Sequence, residues 1–259
     1  MVAAAREKWG FWFTLCIAIL YPGNWLVRRT DKRGWERVPK EGGVILAFNH
    51  VSVTDPLIIC KEVFAAGRLP HYLAKDSIFS IPVAGAIMRG AKQIPVSRGT
   101  ADAARALDDA VAALKQGFCV IIYPEGTTTR DPRLWPMQAR TGVARLALLS
   151  GVPVLPVAQW GAHRIYRRGG RPHPFRRPTV STRVGEPVDL SPYEGKPQTP
   201  ELLREVTDLI MSRITAMLAE IRTGESPPQR ATVWRRGEPD PPLVDLEPIE
   251  RARRRKRAA

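Results

Sequence analysis

Apolar residues along this chain fall into short dense runs separated by stretches with helical periodicity. VILAF (44–48) has no polar position, as expected of a strand covered on both faces, and PLIICKEVFAA (56–66) follows as a helix. HYLAK (71–75) and QIPVS (93–97) are short strand candidates, and CVIIY (119–123) is another continuous apolar run. TADAARALDDAVAALKQG (100–117) reads as an amphipathic helix closed by Gly117, and a further helix is expected near 139–150. VPVLPVAQW (152–160) reads as a strand whose prolines predict a sheet edge or a bend. TVSTRVGEPVDL (179–190) reads as one more strand with its exit, and ELLREVTDLIMSRITAMLAEI (201–221) as a closing helix. Between them, 163–178 is a basic excursion rich in proline and glycine. Strands alternating with helices predict an α/β fold: a single domain with a mixed, largely buried sheet flanked by helices.

The two ends differ from this pattern. WGFWFTLCIAILYPGNWLV (9–27) carries no charge, but only 13 residues separate its start from the Pro22-Gly23-Asn24 break, counting Trp9 to Tyr21. A straight bilayer crossing needs about 20. Its tryptophans, with Arg6, Lys8, Arg28 and Arg29 flanking, predict a helix lying in a membrane interface. Beyond Gly224 the chain is proline-rich and charged, and is expected to be disordered. The expected division is a membrane-associating segment at 1–30, a catalytic domain at 31–223 and a basic tail at 224–259.

Net charge is +15, of which RARRRKR (251–257) supplies six positives, leaving +9 elsewhere. Such a chain could meet nucleic acid or an anionic membrane. The aromatics cluster in the N-terminal apolar run instead of alternating with basic residues, which favours the membrane, and no nucleic acid is expected. Cys16, Cys60 and Cys119 all sit in apolar runs and are expected to be reduced residues of an intracellular protein. Four scattered histidines and no CxxC or HExxH cluster predict no metal site.

The candidate chemistry lies where strands end. NHVSVTDP (49–56) leaves VILAF with a histidine and an aspartate five apart. Asp-Pro suits a helix start, with Asp55 as N-cap, so VSVT forms a loop that can fold the carboxylate back onto His50. A carboxylate on Nδ1–H fixes the tautomer and leaves Nε2 as a base. With no GxSxG elbow, the nucleophile is expected to be a substrate hydroxyl. By spacing alone the pair is more often a buried structural hydrogen bond. YPEGTTTR (123–130) and QIPVSRG (93–99) end the same way, offering Glu125, three threonines and Arg98 at neighbouring strand ends.

These blocks resemble the lysophosphatidic acid acyltransferase family, the 1-acyl-sn-glycerol-3-phosphate acyltransferases and their glycerolipid acyltransferase relatives. NHxSxxD is intact as Asn49, His50, Ser52 and Asp55; an apolar run ending in arginine matches 81–98; FPEGT is met by Tyr123 to Thr127; a proline-centred run matches 152–158. The resemblance implies His50 as general base and Asp55 as its partner. It implies that Asn49, Ser52, Arg98, Glu125, Gly126 and Thr127 serve the substrate site, with Arg98 on the acceptor phosphate. The implied reaction moves a fatty acyl group from acyl-CoA or acyl carrier protein to the free hydroxyl of a lysophospholipid. It needs no cofactor, metal or acyl-enzyme, and is expected at the cytoplasmic face of the cell membrane. One departure stands out: the arginine that often follows EGT is Thr128 here, with Arg130 two positions on. Either Arg130 reaches the same phosphate, or the acceptor is another lysophospholipid or a glycolipid. Arg140 is expected to face a phosphate or the donor's pantetheine arm, with a solvated helix start as the alternative. A non-enzymatic membrane- or nucleic-acid-binding role is the remaining reading.

Overall fold

The computed structural model describes residues 10–96, 102–173, 176–223, 225–235, 237–242, 244 and 246. Seven strands form one sheet in the order β1-β7-β6-β2-β5-β3-β4. They are β1 (Arg29–Arg33), β2 (Val44–Phe48), β3 (Pro70–Lys75), β4 (Ile94–Val96), β5 (Cys119–Ile122), β6 (Val154–Trp160) and β7 (Thr179–Val184). All neighbours run parallel except β6 and β7, which makes the sheet mixed as expected. The helices are α1 (Phe11–Val27), α2 (Asp55–Ala65), α3 (Asp76–Phe79), α4 (Pro82–Gly90), α5 (Asp102–Lys115), α6 (Gly142–Ser150) and α7 (Pro200–Ile221).

Strand β2 shows why its sequence has no polar face. Ile45 and Ala47 pack with residues of α5, α6 and α7 on one side of the sheet. Val44, Leu46 and Phe48 pack with Ile59 and Val63 of α2 on the other. A central strand of a three-layer α/β sandwich must be apolar at every position.

Four elements differ from the sequence expectation. β6 is an interior strand, fully buried along its length, although its prolines pointed to an edge or a bend. Pro156 is tolerated because its missing N–H faces the exit of β7, where the ladder has ended. There its carbonyl accepts from Gly185 N at 2.9 Å. β1 was not anticipated, since RTDKR has no apolar residue; it is a mostly exposed edge whose Asp31 pairs with Arg183 at 2.7 Å. Charges on an edge strand discourage pairing with other chains.

Helix α1 runs on through Pro22 to Val27, past the expected break. Asn24 secures that last stretch: its Nδ2 donates to Leu20 O and to Leu57 O of α2, both at 2.9 Å, and its Oδ1 accepts from Arg28 Nε at 2.8 Å. Arg28 in turn pairs with Glu62 inside the protein.

Finally, the segment beyond 224, expected to be disordered, touches the domain at several described residues. Gln138 N donates to Thr232 O at 2.9 Å, Thr232 Oγ1 donates to Asp131 at 2.5 Å, and Leu246 is buried in the cluster holding Leu134 and Trp135. The 128–138 loop offers an apolar surface and backbone donors that the tail satisfies. The run RARRRKR lies outside the described residues.

The Arg28–Glu62 pair generates a stability prediction. Both side chains are essentially without solvent contact, so Glu62→Ala leaves a buried guanidinium uncompensated. Urea unfolding is expected to show a loss of about 3–5 kcal/mol.

Candidate active site

Strands β2 and β5 are parallel neighbours with Ala47 opposite Ile122, so the residues three further on, His50 and Glu125, emerge at the same level. Glu125 makes use of that. Its Oε1 accepts from His50 N at 2.8 Å and its Oε2 from Met137 N at 2.9 Å. Burial pushes its carboxyl up to about 8, against the opposing pull of these two amides. Glu125 thus clamps the His50 loop from one side, while Thr129 N donates to His50 O at 2.7 Å.

Asp55 is fully buried. It is not the N-cap expected from the sequence: Thr54 holds that position and Asp55 is the first residue of α2. Its carboxylate instead turns back onto the loop. Oδ2 accepts from Val51 N at 2.8 Å and Ser52 N at 3.0 Å, and lies 2.8 Å from His50 Nδ1. With Nδ1–H given to this oxygen, the lone pair of the imidazole is on Nε2. His50 lines a cavity of about 790 Å³. Its ring stacks on Tyr123 with centroids 4.2 Å apart. Burial pushes the Tyr123 hydroxyl well above its ordinary pKa, keeping it neutral beside the imidazole.

The other expected site residues divide into those that shape the loop and those that reach the cavity. Asn49 and Gln159 clasp β2 to β6: Asn49 Nδ2 donates to Gln159 O at 3.0 Å, and Gln159 N donates to Asn49 Oδ1 at 2.8 Å. Ser52 is fully buried, with Oγ donating to Tyr166 O at 2.6 Å. Neither lines the cavity, and neither does Thr127. Gly126 does, in a left-handed conformation at φ 71°. A Cβ there would stand 3.1 Å from Arg140 Nε, so glycine lets Arg140 lie across the turn at the cavity wall. Arg130 is turned elsewhere: Nε lies 2.6 Å from Asp240 Oδ1 and the guanidinium covers the Trp234 ring. Arg98 lies outside the described residues.

The sequence did not single out Lys75, at the end of β3, or Arg145, on α6. Both line the cavity with Arg140, and all three are exposed. Lys75 follows the same strand-end rule as His50 and Glu125, so that signal was present; nothing in the sequence directed attention to Arg145. Much of the wall is apolar and includes Leu20, Phe64, Ile87 and Met88. Cys60 also lines it, its thiol pushed up to about 12 by burial and therefore protonated. Among the described residues, no carboxylate lines the cavity. The result is an amphipathic chamber, lined by three exposed cations, the His50 imidazole and many apolar side chains.

Glu125 generates a pH prediction. Its folded pKa lies above the unfolded 4.5, so folding takes up a proton between those values. The associated stability is complete below 4.5, declines as pH rises towards about 8 and is level above it. Thermal unfolding across this range should show Glu125→Ala flattening that decline. The variant should also lose about 2–4 kcal/mol from two orphaned buried amides.

A model of the Acyltransferase family matches residues 29–160, half of the chain. A 1-acyl-sn-glycerol-3-phosphate acyltransferase of Borreliella burgdorferi is 31% identical over 136 residues, covering 51% of this chain and 52% of its own. A lyso-ornithine lipid O-acyltransferase of Pseudomonas aeruginosa is 33% identical over 125 residues, covering 48% of this chain and 43% of its own. The chain spans about half the length of these curated relatives. Among solved structures, the 1-acyl-sn-glycerophosphate (LPA) acyltransferase PlsC of Thermotoga maritima superimposes with a TM-score of 0.63 at 25% identity, over 83% of this chain and 81% of that one. The matched stretch includes the His50–Asp55 pair, Glu125 and the strands that carry them, and the chain belongs to the acyltransferase family.

Proposed function

We propose that this protein transfers a fatty acyl group from acyl-CoA to the free hydroxyl of a 1-acyl-glycerol-3-phosphate, giving phosphatidic acid. The observation that carries the reading is the Nδ1 bond of His50 to a buried Asp55, 2.8 Å long, on the wall of an amphipathic chamber. His50 Nε2 takes the proton of the acceptor hydroxyl as its oxygen attacks the thioester carbonyl. The tetrahedral intermediate then collapses, the carbon–sulfur bond breaks, and the leaving thiolate recovers the proton from Nε2–H. No acyl-enzyme forms and no step runs through a metal or cofactor. Asp55 holds the imidazole in the required tautomer and offsets the charge of the imidazolium. The acyl chain occupies the apolar interior. Lys75, Arg140 and Arg145 attract the phosphates of the donor or the acceptor.

A second reading, a phosphate-free lysolipid as acceptor, is favoured by Thr128 and by the engagement of Arg130 with Asp240. It also has the lyso-ornithine lipid enzyme among its relatives. Acyl carrier protein is the alternative donor.

We further propose that the protein works on the cytoplasmic face of the cell membrane, as a peripheral or monotopic protein. No helix among the described residues is long and apolar enough to cross a membrane. Phe11, Ile19, Trp25 and Leu26 of α1 are exposed, as are Val53 and Leu57 at the start of α2, against which α1 packs. Val53, Leu57 and the exposed Ile78 also line the chamber, so its rim is continuous with an apolar surface from which lipid chains can enter.

Free-thiol release from acyl-CoA, measured over a panel of lysophosphatidate, glycerol 3-phosphate and other lysolipids, tests the chemistry. His50→Ala is expected to slow release by about 10²–10⁴-fold while its circular dichroism matches that of the wild type. Release that survives in a folded His50→Ala protein would sink the assignment. Vesicle co-sedimentation tests the surface: the exposed pair Phe11→Ala and Trp25→Ala should together weaken binding at least about 10-fold without changing the melting temperature.

A further inference from the structure

Two arginines beside the His50 loop share a single carboxylate brought from far along the chain. Arg130 Nε lies 2.6 Å from Asp240 Oδ1, and Arg168 pairs with Asp240 Oδ2. Arg167, next in sequence to Arg168, holds the Val244 carbonyl at 2.8 Å and so ties down the same segment. The cations crowd one another. Burial, and then the charges of Arg130 and Arg167, pull the Arg168 guanidinium below its ordinary pKa.

This cluster is built onto the catalytic loop from both sides. Thr129, adjacent to Arg130, donates its N–H to His50 O at 2.7 Å. Tyr166, two residues before Arg168, accepts from Ser52 Oγ at 2.6 Å. Arg130 and Arg168 therefore extend from the two segments that grip residues 50–52. Two guanidiniums converging on one pair of carboxylate oxygens is the arrangement by which proteins recognise oxyanions. A phosphate monoester fits it better than a carboxylate does, with nearly twice the charge and three acceptor oxygens. Asp240 is the open member of both pairs: its side chain is 46% exposed, against 13% for Arg130 and 21% for Arg168, so a solute can reach the shared carboxylate.

We propose that Arg130 and Arg168 form a phosphate-monoester site beside the His50 loop, filled here by Asp240, so that the C-terminal segment and a phosphate-bearing ligand compete for it. The acceptor headgroup as that ligand rests on the acyl-transfer reading; the site itself does not. The competition also accounts for Arg130 being turned from the chamber: its guanidinium already has an anion.

The test uses the full chain and inorganic phosphate, titrated by calorimetry. Asp240→Ala, and Asp240→Asn as a shape-conserving second variant, are expected to bind phosphate about 5-fold more tightly than the wild type. Adding Arg168→Ala should abolish that gain. No gain in either single variant, or a gain that persists without Arg168, overturns the site. A second arm distinguishes the source of the phosphate. Where the ligand is the acceptor headgroup, Asp240→Ala lowers KM for lysophosphatidate by a similar factor and leaves KM for a lyso-ornithine lipid unchanged. An unchanged lysophosphatidate KM with tighter inorganic phosphate binding keeps the site and identifies free phosphate as its ligand. Because the titration reads no catalysis, a wild-type protein inactive on every acceptor would defeat the acyl-transfer reading without touching this one.

Discussion

A single carboxylate oxygen organises the candidate active site. Asp55 Oδ2 takes the amides of Val51 and Ser52 and faces His50 Nδ1. It thereby fixes the backbone of the loop and the orientation of the imidazole together. Burying a carboxylate is costly unless donors meet it, and the donors that converge on Oδ2 are the loop itself. The loop cannot relax without exposing the charge, nor the histidine turn without forfeiting a charge-assisted bond. One strand away, Glu125 uses both oxygens to tie the start of the same loop to Met137. The proposed base is thus held on rigid supports, which is what a proton transfer of defined geometry requires.

Around this point the molecule separates its polar and apolar demands. The chamber's lining joins the exposed cations Lys75, Arg140 and Arg145 to apolar residues of α1, α2, α3 and α4. A lining of both kinds suits an amphipathic molecule. The buried Arg28–Glu62 pair and Asn24 serve the same geometry, since they lock the end of α1 onto α2. With that end fixed, α1 can expose large apolar residues and still keep a defined position.

The C-terminal segment adds a constraint foreign to the His50 loop's own logic. It packs where the 128–138 loop leaves Leu134 and Trp135 in need of cover, and Arg222 is stacked between Trp135 and Trp160 at about 4 Å from each ring. That packing brings Asp240 to Arg130 and Arg168. One short acidic contact thus links the end of the chain to the flank of the proposed base.

Much of this was legible beforehand because it is written in local patterns. Short apolar runs with no polar position pointed to central strands, and polar residues following such runs to strand ends; His50, Asp55 and Glu125 were singled out in that way. The helix start at Asp55 was nearly located, but not the direction of its carboxylate, because capping and turning back onto the loop use the same residue type. β1 escaped detection because an edge strand needs no apolar signature, and β6 was misplaced because a proline's cost depends on which neighbour its missing N–H faces. Likewise, Asn49 and Ser52 look like substrate ligands in a motif, yet their partners, Gln159 and the Tyr166 carbonyl, lie more than 100 residues away. The sequence by itself determined the α/β class, the family blocks and the pairing of His50 with Asp55, since each follows from neighbours along the chain. Only the tertiary structure decided which arginines face the chamber, which one Asp240 holds, and where the tail packs, because charges find partners through space and periodicity carries no record of that distance.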